Sequence, residues 1–216
     1  MSNPTPKLIL HSDQSVDSTG ARDAELLRSL SGKKNPKIVY LGSTSNARRK
    51  VFDDCKKYYE KIGLPDVQLF EPEQANSDEK SIAFKNTDVV HLSGGEVIPF
   101  ADRLRATGCD HLLKDFVQRG GVVVGVSAGA MILGRTFKTS AIFKENGFFI
   151  GLGLYDFEII PHASEMFPRN DAVKIFAEKN NVNIYTLNDG DILVIHGKKI
   201  KTLGNIDYFV GSPTKT

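Results

Sequence analysis

One serine of this chain lies between small residues, directly after a run of β-branched residues, in the segment Gly125-Val126-Ser127-Ala128-Gly129-Ala130. Residues 121–126 are predicted to form a buried central strand, and residues 128–133 to begin a helix. A sharp turn between them would strain the serine backbone and expose its hydroxyl above the sheet edge. The segment therefore predicts that Ser127 is the nucleophile of a serine hydrolase. The alternative is a small-residue connection, capped by Ser127, that binds phosphate.

Backbone N–H groups near Ser127 could stabilise negative charge that develops on a substrate oxygen. Ala128 follows Ser127 directly and begins the predicted helix, so its N–H is expected to donate to an oxyanion. Gly94 and Gly95 follow a second predicted strand, residues 88–92, and either could complete the oxyanion hole. This second glycine segment does not indicate dinucleotide binding, because the chain lacks the pattern G-x-G-x-x-G.

A serine hydroxyl needs a base to accept its proton, and the chain has five histidines. His162 follows Pro161 at the end of an apolar stretch, residues 148–160, which is predicted to be strand-like. Sites of α/β proteins are built at strand ends, so His162 is predicted to be the base. His91, in a predicted strand, and His111, at a helix start, are predicted to be structural. His196 is expected to be exposed at a strand end, and His11 follows the first strand and could face the carboxyl edge of the sheet.

The acid that orients the histidine has several candidates at the level of residues alone. These carboxylates lie in the last third of the chain: Asp156, Glu158, Glu165, Asp171, Asp189 and Asp191. Asp189 is favoured because it lies in a predicted tight turn, residues 188–190, where a side chain is well fixed. The resulting order Ser, His, Asp differs from the Ser, Asp, His order of ordinary α/β-hydrolases.

Short apolar strands and amphipathic helices alternate along the chain and must position these residues. Strands are predicted at residues 7–10, 37–43 with a turn, 67–70, 88–92, 121–126, 148–160, 183–187, 191–195 and 199–203. Helices are predicted at residues 23–30, 49–62, 79–84, 98–105, 111–119, 128–133 and 172–178. The alternation predicts an α/β fold with a mostly parallel sheet. In the absence of a repeat or a linker, residues 1–216 are predicted to form a single domain.

The composition of the chain limits the kinds of partner that it is expected to bind. The 28 basic residues are scattered among 26 acidic ones, so nucleic-acid binding is not expected. Cys55 and Cys109 lie in no metal-binding spacing and are expected to be reduced. The chain shows neither a signal-peptide pattern nor an apolar run near the roughly 20 residues that span a bilayer. We therefore expect a cytoplasmic monomer or homodimer that needs no metal, cofactor or membrane and whose partner is a small peptide substrate.

Four motifs occur in a characteristic order: Ser93-Gly94-Gly95, Gly125-Val126-Ser127-Ala128-Gly129-Ala130, Ile160-Pro161-His162 and Leu187-Asn188-Asp189-Gly190. Their order and spacing, over most of the chain, resemble the aspartyl dipeptidase (peptidase E) family, peptidase family S51. That family is similar to class I glutamine amidotransferases, with serine in place of the elbow cysteine. The resemblance implies a three-layer, flavodoxin-like fold. It also implies Ser127 as nucleophile and His162 as base, with Asp189 where the family has a glutamate.

The same resemblance implies a substrate, namely small peptides such as dipeptides with an amino-terminal aspartate, hydrolysed through an acyl-enzyme. The family binds this aspartate with an arginine a few residues after its histidine, and Arg169 falls near that position. Glu96 replaces an amide residue of the glycine loop and is predicted to contact the substrate. Residues 139–141, Thr-Ser-Ala, lack an acidic residue of the family. These departures concern substrate selection rather than hydrolase chemistry.

Three other functions are alternatives to the dipeptidase. A serine hydrolase of the same fold could act on isoaspartyl peptides or, as cyanophycinase does, on polymeric Asp-Arg, although the short chain argues against the latter. A binding protein could retain the elbow without turnover. A glutaminase is disfavoured because neither Cys55 nor Cys109 lies at the turn.

Overall fold

The computed structural model of the protein describes residues 5–15, 17–44, 49–143, 149–166 and 170–211. The strands are β1 Lys7–His11, β2 Ile38–Leu41, β3 Val67–Leu69, β4 Val89–Leu92, β5 Val122–Val126, β6 Glu158–Ile160, β7 Ile184–Thr186, β8 Ile192–His196, β9 Lys199–Leu203 and β10 Asp207–Phe209. The α-helices are α1 Gly20–Ser31, α2 Arg49–Lys61, α3 Ser77–Lys85, α4 Val97–Thr107, α5 Cys109–Gln118, α6 Ala128–Met131, α7 Ala163–Met166 and α8 Asn170–Asn180, and Lys138–Phe143 forms a 3₁₀ helix.

Seven strands of the described chain form the main sheet, in the order β3-β2-β4-β5-β1-β8-β9. The first five are parallel, and β8 and β9 join as antiparallel strands. A smaller sheet has the order β10-β7-β6, in which β6 and β7 are parallel. The predicted α/β fold with a mostly parallel sheet is therefore confirmed.

Helices cover both faces of the main sheet, which accounts for the apolar runs in its central strands. Successive residues of a strand point to opposite faces. In β1, Leu8 and Leu10 therefore pack into the core on the side of α3–α6, whereas Ile9 packs into the core on the side of α1 and α2. The three layers implied by the family resemblance are thus present. No helix in the described ranges is both long and apolar enough to cross a membrane.

The predicted strand over residues 148–160 is wrong for most of its length. Only Glu158–Ile160 forms a strand, and residues 149–157 run as irregular chain with isolated bridges at Ile150 and Tyr155; residue 148 lies outside the described residues. The backbone instead bonds to the segment after α6; for example, the N–H of Leu152 donates to the carbonyl of Ile132 at 2.8 Å. The apolar pattern reflected side-chain burial beside the core rather than strand pairing.

The predicted turn at residues 188–190 is present, and it lies between β7 and β8. β7 belongs to the smaller sheet and β8 to the main sheet, so the turn joins two sheets. Asp191 fixes its shape, because its carboxylate accepts the backbone N–H of Asn188 at 2.8 Å and that of Asn205 at 3.0 Å. Strand β10 was not predicted; two of its three residues are exposed, so it lacks a buried apolar pattern.

Candidate active site

Ser127 occupies a strained turn between β5 and α6. Its φ of 49° and ψ of −111° lie in a region that residues with a side chain rarely adopt. The turn is fixed to the end of β1, because the N–H of Ser127 donates to the carbonyl of His11 at 2.9 Å. A Cβ at Gly125 would lie 2.7 Å from the carbonyl oxygen of Gly129, and a Cβ at Gly129 would overlap the backbone of Leu92. Both glycines therefore let the helix approach the strands closely enough to form the turn.

The turn after β4 lies beside this elbow. A Cβ built on Gly94 would be 3.6 Å from the Cβ of Ser127. The buried hydroxyl of Ser93 accepts the N–H of Ser43 at 2.8 Å and donates to the carbonyl of Gly94 at 2.9 Å, which pins the turn. Within the described chain, the N–H groups of Gly94 and Ala128 have no hydrogen-bond acceptor. Two backbone donors are thus available beside the hydroxyl of Ser127.

His162 directs its imidazole to Ser127 from the end of the smaller sheet. It lies just after β6, with a φ of 53°. Its Nε2 is 3.2 Å from the Oγ of Ser127, a distance at which the hydroxyl can donate to a neutral imidazole. The side chain is 32% exposed, so the imidazole is reachable from the solvent side.

Asp189 lies on the other side of the imidazole. Its Oδ1 is 2.7 Å from the Nδ1 of His162. This contact favours the tautomer that carries its proton on Nδ1, which leaves a lone pair on Nε2 facing Ser127. The structure thus brings together Ser127, His162 and Asp189 in the geometry of a nucleophile, a base and an orienting acid.

The other candidate acids lie elsewhere or hold local structure. Glu158 is buried and accepts the hydroxyl of Thr136 and the N–H of Thr139. Asp156 is 76% exposed and pairs with Arg135 at 3.3 Å. Asp191 holds the turn that carries Asp189, as described above. The remaining two are exposed helix residues: Glu165 and Asp171.

Two buried histidines lie beneath the site without reaching Ser127. His91 contacts the hydroxyl of Tyr59 through Nδ1 at 2.9 Å, and burial, assisted by nearby His11, lowers the pKa of His91 to about 3. His11 lies 3.2 Å from the carboxylate of Asp23. Burial acts to raise the pKa of Asp23, but the contact with His11 and the hydrogen bonds to the carboxylate, one of them from Tyr58, outweigh it and hold the pKa below its usual value. The prediction that His91 is structural fits this placement. His196 is exposed, as predicted, and so is His111.

A cavity of about 460 Å³ opens in front of Ser127 and His162. His91 lies on its inner wall, and Val51 and Cys55 of α2 lie on one side; burial raises the pKa of the Cys55 thiol. The described residues that line it include the carboxylates of Asp13 and Asp54 but no lysine or arginine. Within the described chain, no group of three His, Cys, Asp or Glu side chains could hold a metal ion.

The two predicted substrate-binding residues lie outside this cavity or outside the described chain. Glu96 is exposed at the start of α4 and does not line the cavity. Arg169 lies outside the described residues. Gly95 lines the cavity together with Gly94, so both predicted glycines reach the site.

No role was predicted for Ser12, which the structure places against both His162 and Asp189. Its Oγ is 2.7 Å from the backbone nitrogen of His162 and 2.8 Å from the Oδ1 of Asp189. The available signal was position, because Ser12 follows a central apolar strand at the sheet edge that carries Ser127.

Comparisons with known proteins agree on one family. The model of peptidase family S51 matches residues 8–203. An uncharacterised peptidase of Listeria monocytogenes is 24% identical over 174 residues, covering 76% of this chain and 84% of the relative. A counterpart from Listeria innocua is 22% identical, covering 76% and 83%.

Two solved structures share the fold. A peptidase E-like protein of Listeria monocytogenes superposes with a TM-score of 0.70 at 22% identity, covering 92% of this chain and 98% of the other. A peptidase from an acI-B1 actinobacterium superposes with a TM-score of 0.72 at 16% identity, covering 98% and 97%.

Proposed function

Because this chain belongs to peptidase family S51, we propose that it is a serine peptidase whose triad is Ser127, His162 and Asp189. The observation that carries the proposal is the continuous contact of the three side chains, at 3.2 Å from Ser127 to His162 and 2.7 Å from His162 to Asp189. The strained backbone of Ser127 supports the same role, because strain of this kind persists at nucleophile elbows.

The reaction begins when Nε2 of His162 takes the hydroxyl proton of Ser127 and Oγ attacks the carbonyl carbon of the peptide bond. The carbonyl oxygen becomes negative and accepts hydrogen bonds from backbone N–H groups. Imidazolium then gives its proton to the leaving amine as the C–N bond breaks, which forms an acyl-enzyme. Water, deprotonated by His162, attacks the ester carbonyl and releases the acid and the Ser127 hydroxyl.

The N–H of Ala128 and that of either Gly94 or Gly95 are proposed to donate to the oxyanion and stabilise it. Ala128 begins α6, and Gly94 follows the neighbouring strand β4, so the two donors approach from adjacent strand ends. Loss of one oxyanion donor costs about 10²–10³ in kcat in a well-studied serine protease. A backbone donor cannot be removed by a side-chain change, so the triad offers the cleaner test.

The first experiment measures labelling by a fluorophosphonate, which reacts with activated serines whatever the natural substrate. Wild-type protein is expected to be labelled stoichiometrically at Ser127, and Ser127→Ala is expected to remain unlabelled. Ser31→Ala is the matched control, because Ser31 ends α1 at the opposite edge of the sheet. An unlabelled wild-type protein would show instead a binding protein that retains the elbow.

The proposed substrates are small peptides, and an amino-terminal aspartate is the proposed preference. Within the described part of the cavity the charged residues beside Ser127 are acidic, so a substrate carboxylate needs a cation from elsewhere. Arg169 is the proposed cation, on the strength of its position after His162.

A dipeptide panel tests this preference by comparing kcat/KM for Asp-X, Glu-X and neutral amino-terminal residues. Asp-X is expected to lead, and Arg169→Ala is expected to lower kcat/KM for Asp-X while sparing neutral dipeptides. Arg119→Ala, at the end of α5 and away from the cavity, should leave the preference unchanged. Equal rates for Asp-X and neutral dipeptides would refute the aspartate preference and leave the triad standing.

A further inference from the structure

We propose that Ser12 is a positioning residue that holds His162 and Asp189 in register with Ser127; this inference rests on the proposed function. Ser12 is fully buried and follows β1, the strand between β5 and β8 in the main sheet. The last residue of β1, His11, pairs with Val126 on one side and with Ile192 on the other. Ser12 therefore lies between the strand that leads to Ser127 and the strand that follows the Asp189 turn.

The hydroxyl of Ser12 makes two complementary hydrogen bonds. Its oxygen accepts the backbone N–H of His162 at 2.7 Å, and its proton is donated to the Oδ1 of Asp189 at 2.8 Å. A carboxylate can only accept and a backbone N–H can only donate, so the direction of both bonds is fixed. The same Oδ1 faces the Nδ1 of His162 at 2.7 Å. Ser12, Asp189 and His162 thus form a closed ring of hydrogen bonds.

This ring crosses between the two sheets. His162 and Asp189 follow β6 and β7 of the smaller sheet, whereas Ser127 follows β5 of the main sheet. The base must therefore be held against a nucleophile that belongs to another sheet. Ser12 belongs to the main sheet and contacts both members of the pair, so its hydroxyl anchors them to the frame that carries Ser127.

Two consequences for the reaction follow from these contacts. The bond to the N–H of His162 holds a backbone that sits at a φ of 53°, which few side-chain-bearing residues adopt. The bond to Asp189 keeps Oδ1 aimed at Nδ1, which maintains the tautomer that leaves Nε2 free to accept the Ser127 proton. Ser12 lies at the wall of the cavity but has no exposed surface, so removal of its hydroxyl should act through His162 and Asp189.

The test compares fluorophosphonate labelling rates of wild type, Ser12→Ala, Ser12→Cys and Ser12→Thr. Ser12→Ala is expected to lower the saturating rate constant, kinact, by about 10- to 100-fold, since small displacements of a catalytic group have costs of this size. The half-saturating reagent concentration should stay within about twofold, because reagent contacts are unchanged. Ser12→Thr retains the hydroxyl and should restore most of the rate. Ser12→Cys keeps the shape with a weaker donor and should fall between Ala and wild type.

A second readout follows the Nδ1 proton of His162 by NMR, where a short bond to a carboxylate gives a resonance far downfield. Ser12→Ala is expected to broaden or shift this resonance, and Ser31→Ala should leave it unchanged. If Ser12→Ala fails to fold, Ser12→Cys decides the outcome with the same two readouts. A folded Ser12→Ala or Ser12→Cys protein with the wild-type kinact and resonance would overturn the role of Ser12 alone. An unlabelled wild-type protein would overturn the proposed function and this inference with it.

Discussion

Replacement of Asp189 by asparagine separates the charge of the proposed acid from its hydrogen bond. In Asp189→Asn the side chain keeps its shape and one oxygen but loses its negative charge. Ser12 donates to the oxygen that also faces His162, so the amide oxygen, rather than the amide nitrogen, is favoured at that place. The imidazole should therefore keep its proton on Nδ1 and its lone pair toward Ser127.

The expected decrease of kinact in Asp189→Asn follows from the loss of the negative charge that stabilises the imidazolium of His162. Two unit charges at about 4 Å interact by about 1 kcal/mol in water and about 4 kcal/mol near a protein surface. Asp189 is 45% exposed and His162 is 32% exposed, which places the pair in the lower part of that range. A loss of about 1–3 kcal/mol corresponds to a kinact lower by about 5- to 150-fold.

This expectation differs from that for a fully buried triad, in which Asp-to-Asn replacement costs about 10⁴-fold because the wrong tautomer forms. The assay is the fluorophosphonate kinact of Asp189→Asn, with Asp156→Asn as control, since Asp156 is exposed and pairs with Arg135. The double variant Ser12→Ala/Asp189→Asn should lose more than the product of the single losses, because the amide is then free to flip. A single-variant loss below twofold would refute Asp189 as the acid. A loss near 10⁴-fold would refute the argument that Ser12 preserves the tautomer.

Two further predictions concern the frame of the site. Gly129→Ala would force a Cβ into the backbone at the end of β4, 2.8 Å from the carbonyl oxygen of Ser93; we expect a loss of about 1–3 kcal/mol in urea unfolding together with slower labelling. Burial holds the pKa of His91 at about 3, so the folded state leaves this imidazole neutral where the unfolded chain binds a proton. The contribution of His91 to the free energy of unfolding is therefore constant above pH ~6.5. Between pH ~6.5 and pH ~3 it falls by about 1.4 kcal/mol for each pH unit. His91→Gln should flatten this part of the stability–pH curve, and an unchanged slope would contradict the assignment.

The elbow could be predicted from the sequence because its cause is local. The β-branched run of β5, the small residues around Ser127 and the start of α6 lie within ten positions of one another. The absence of a side chain at Gly129 lets the backbone there pack against the end of β4. His162 was predicted from its place after a strand, although the strand itself is far shorter than the apolar run suggested.

The choice among the acids and the role of Ser12 depend on which sheet each strand joins. Glu158 and Asp191 are as polar as Asp189 in sequence, yet both bond to nearby backbone and side-chain donors. Periodicity predicts that a strand exists, but it does not tell whether β7 pairs with β8 or with β6. The sequence could therefore predict the turn at residues 188–190 but not that it joins two sheets, and the only signal for Ser12 was its position after a central apolar strand.

The division of the proposed triad between two sheets explains why an anchor is needed. The backbone bonds of β5 and the bond from Ser127 to His11 fix the nucleophile to the main sheet. The base and acid follow strands of the smaller sheet, and a shift of about 1 Å between the sheets would break the 3.2 Å contact from His162 to Ser127. The hydroxyl of Ser12, directly after β1, bonds to both His162 and Asp189 and so opposes such a shift at the base and the acid themselves. Variants that weaken the contacts between the two sheets should therefore lower kinact even where the free energy of unfolding is unchanged.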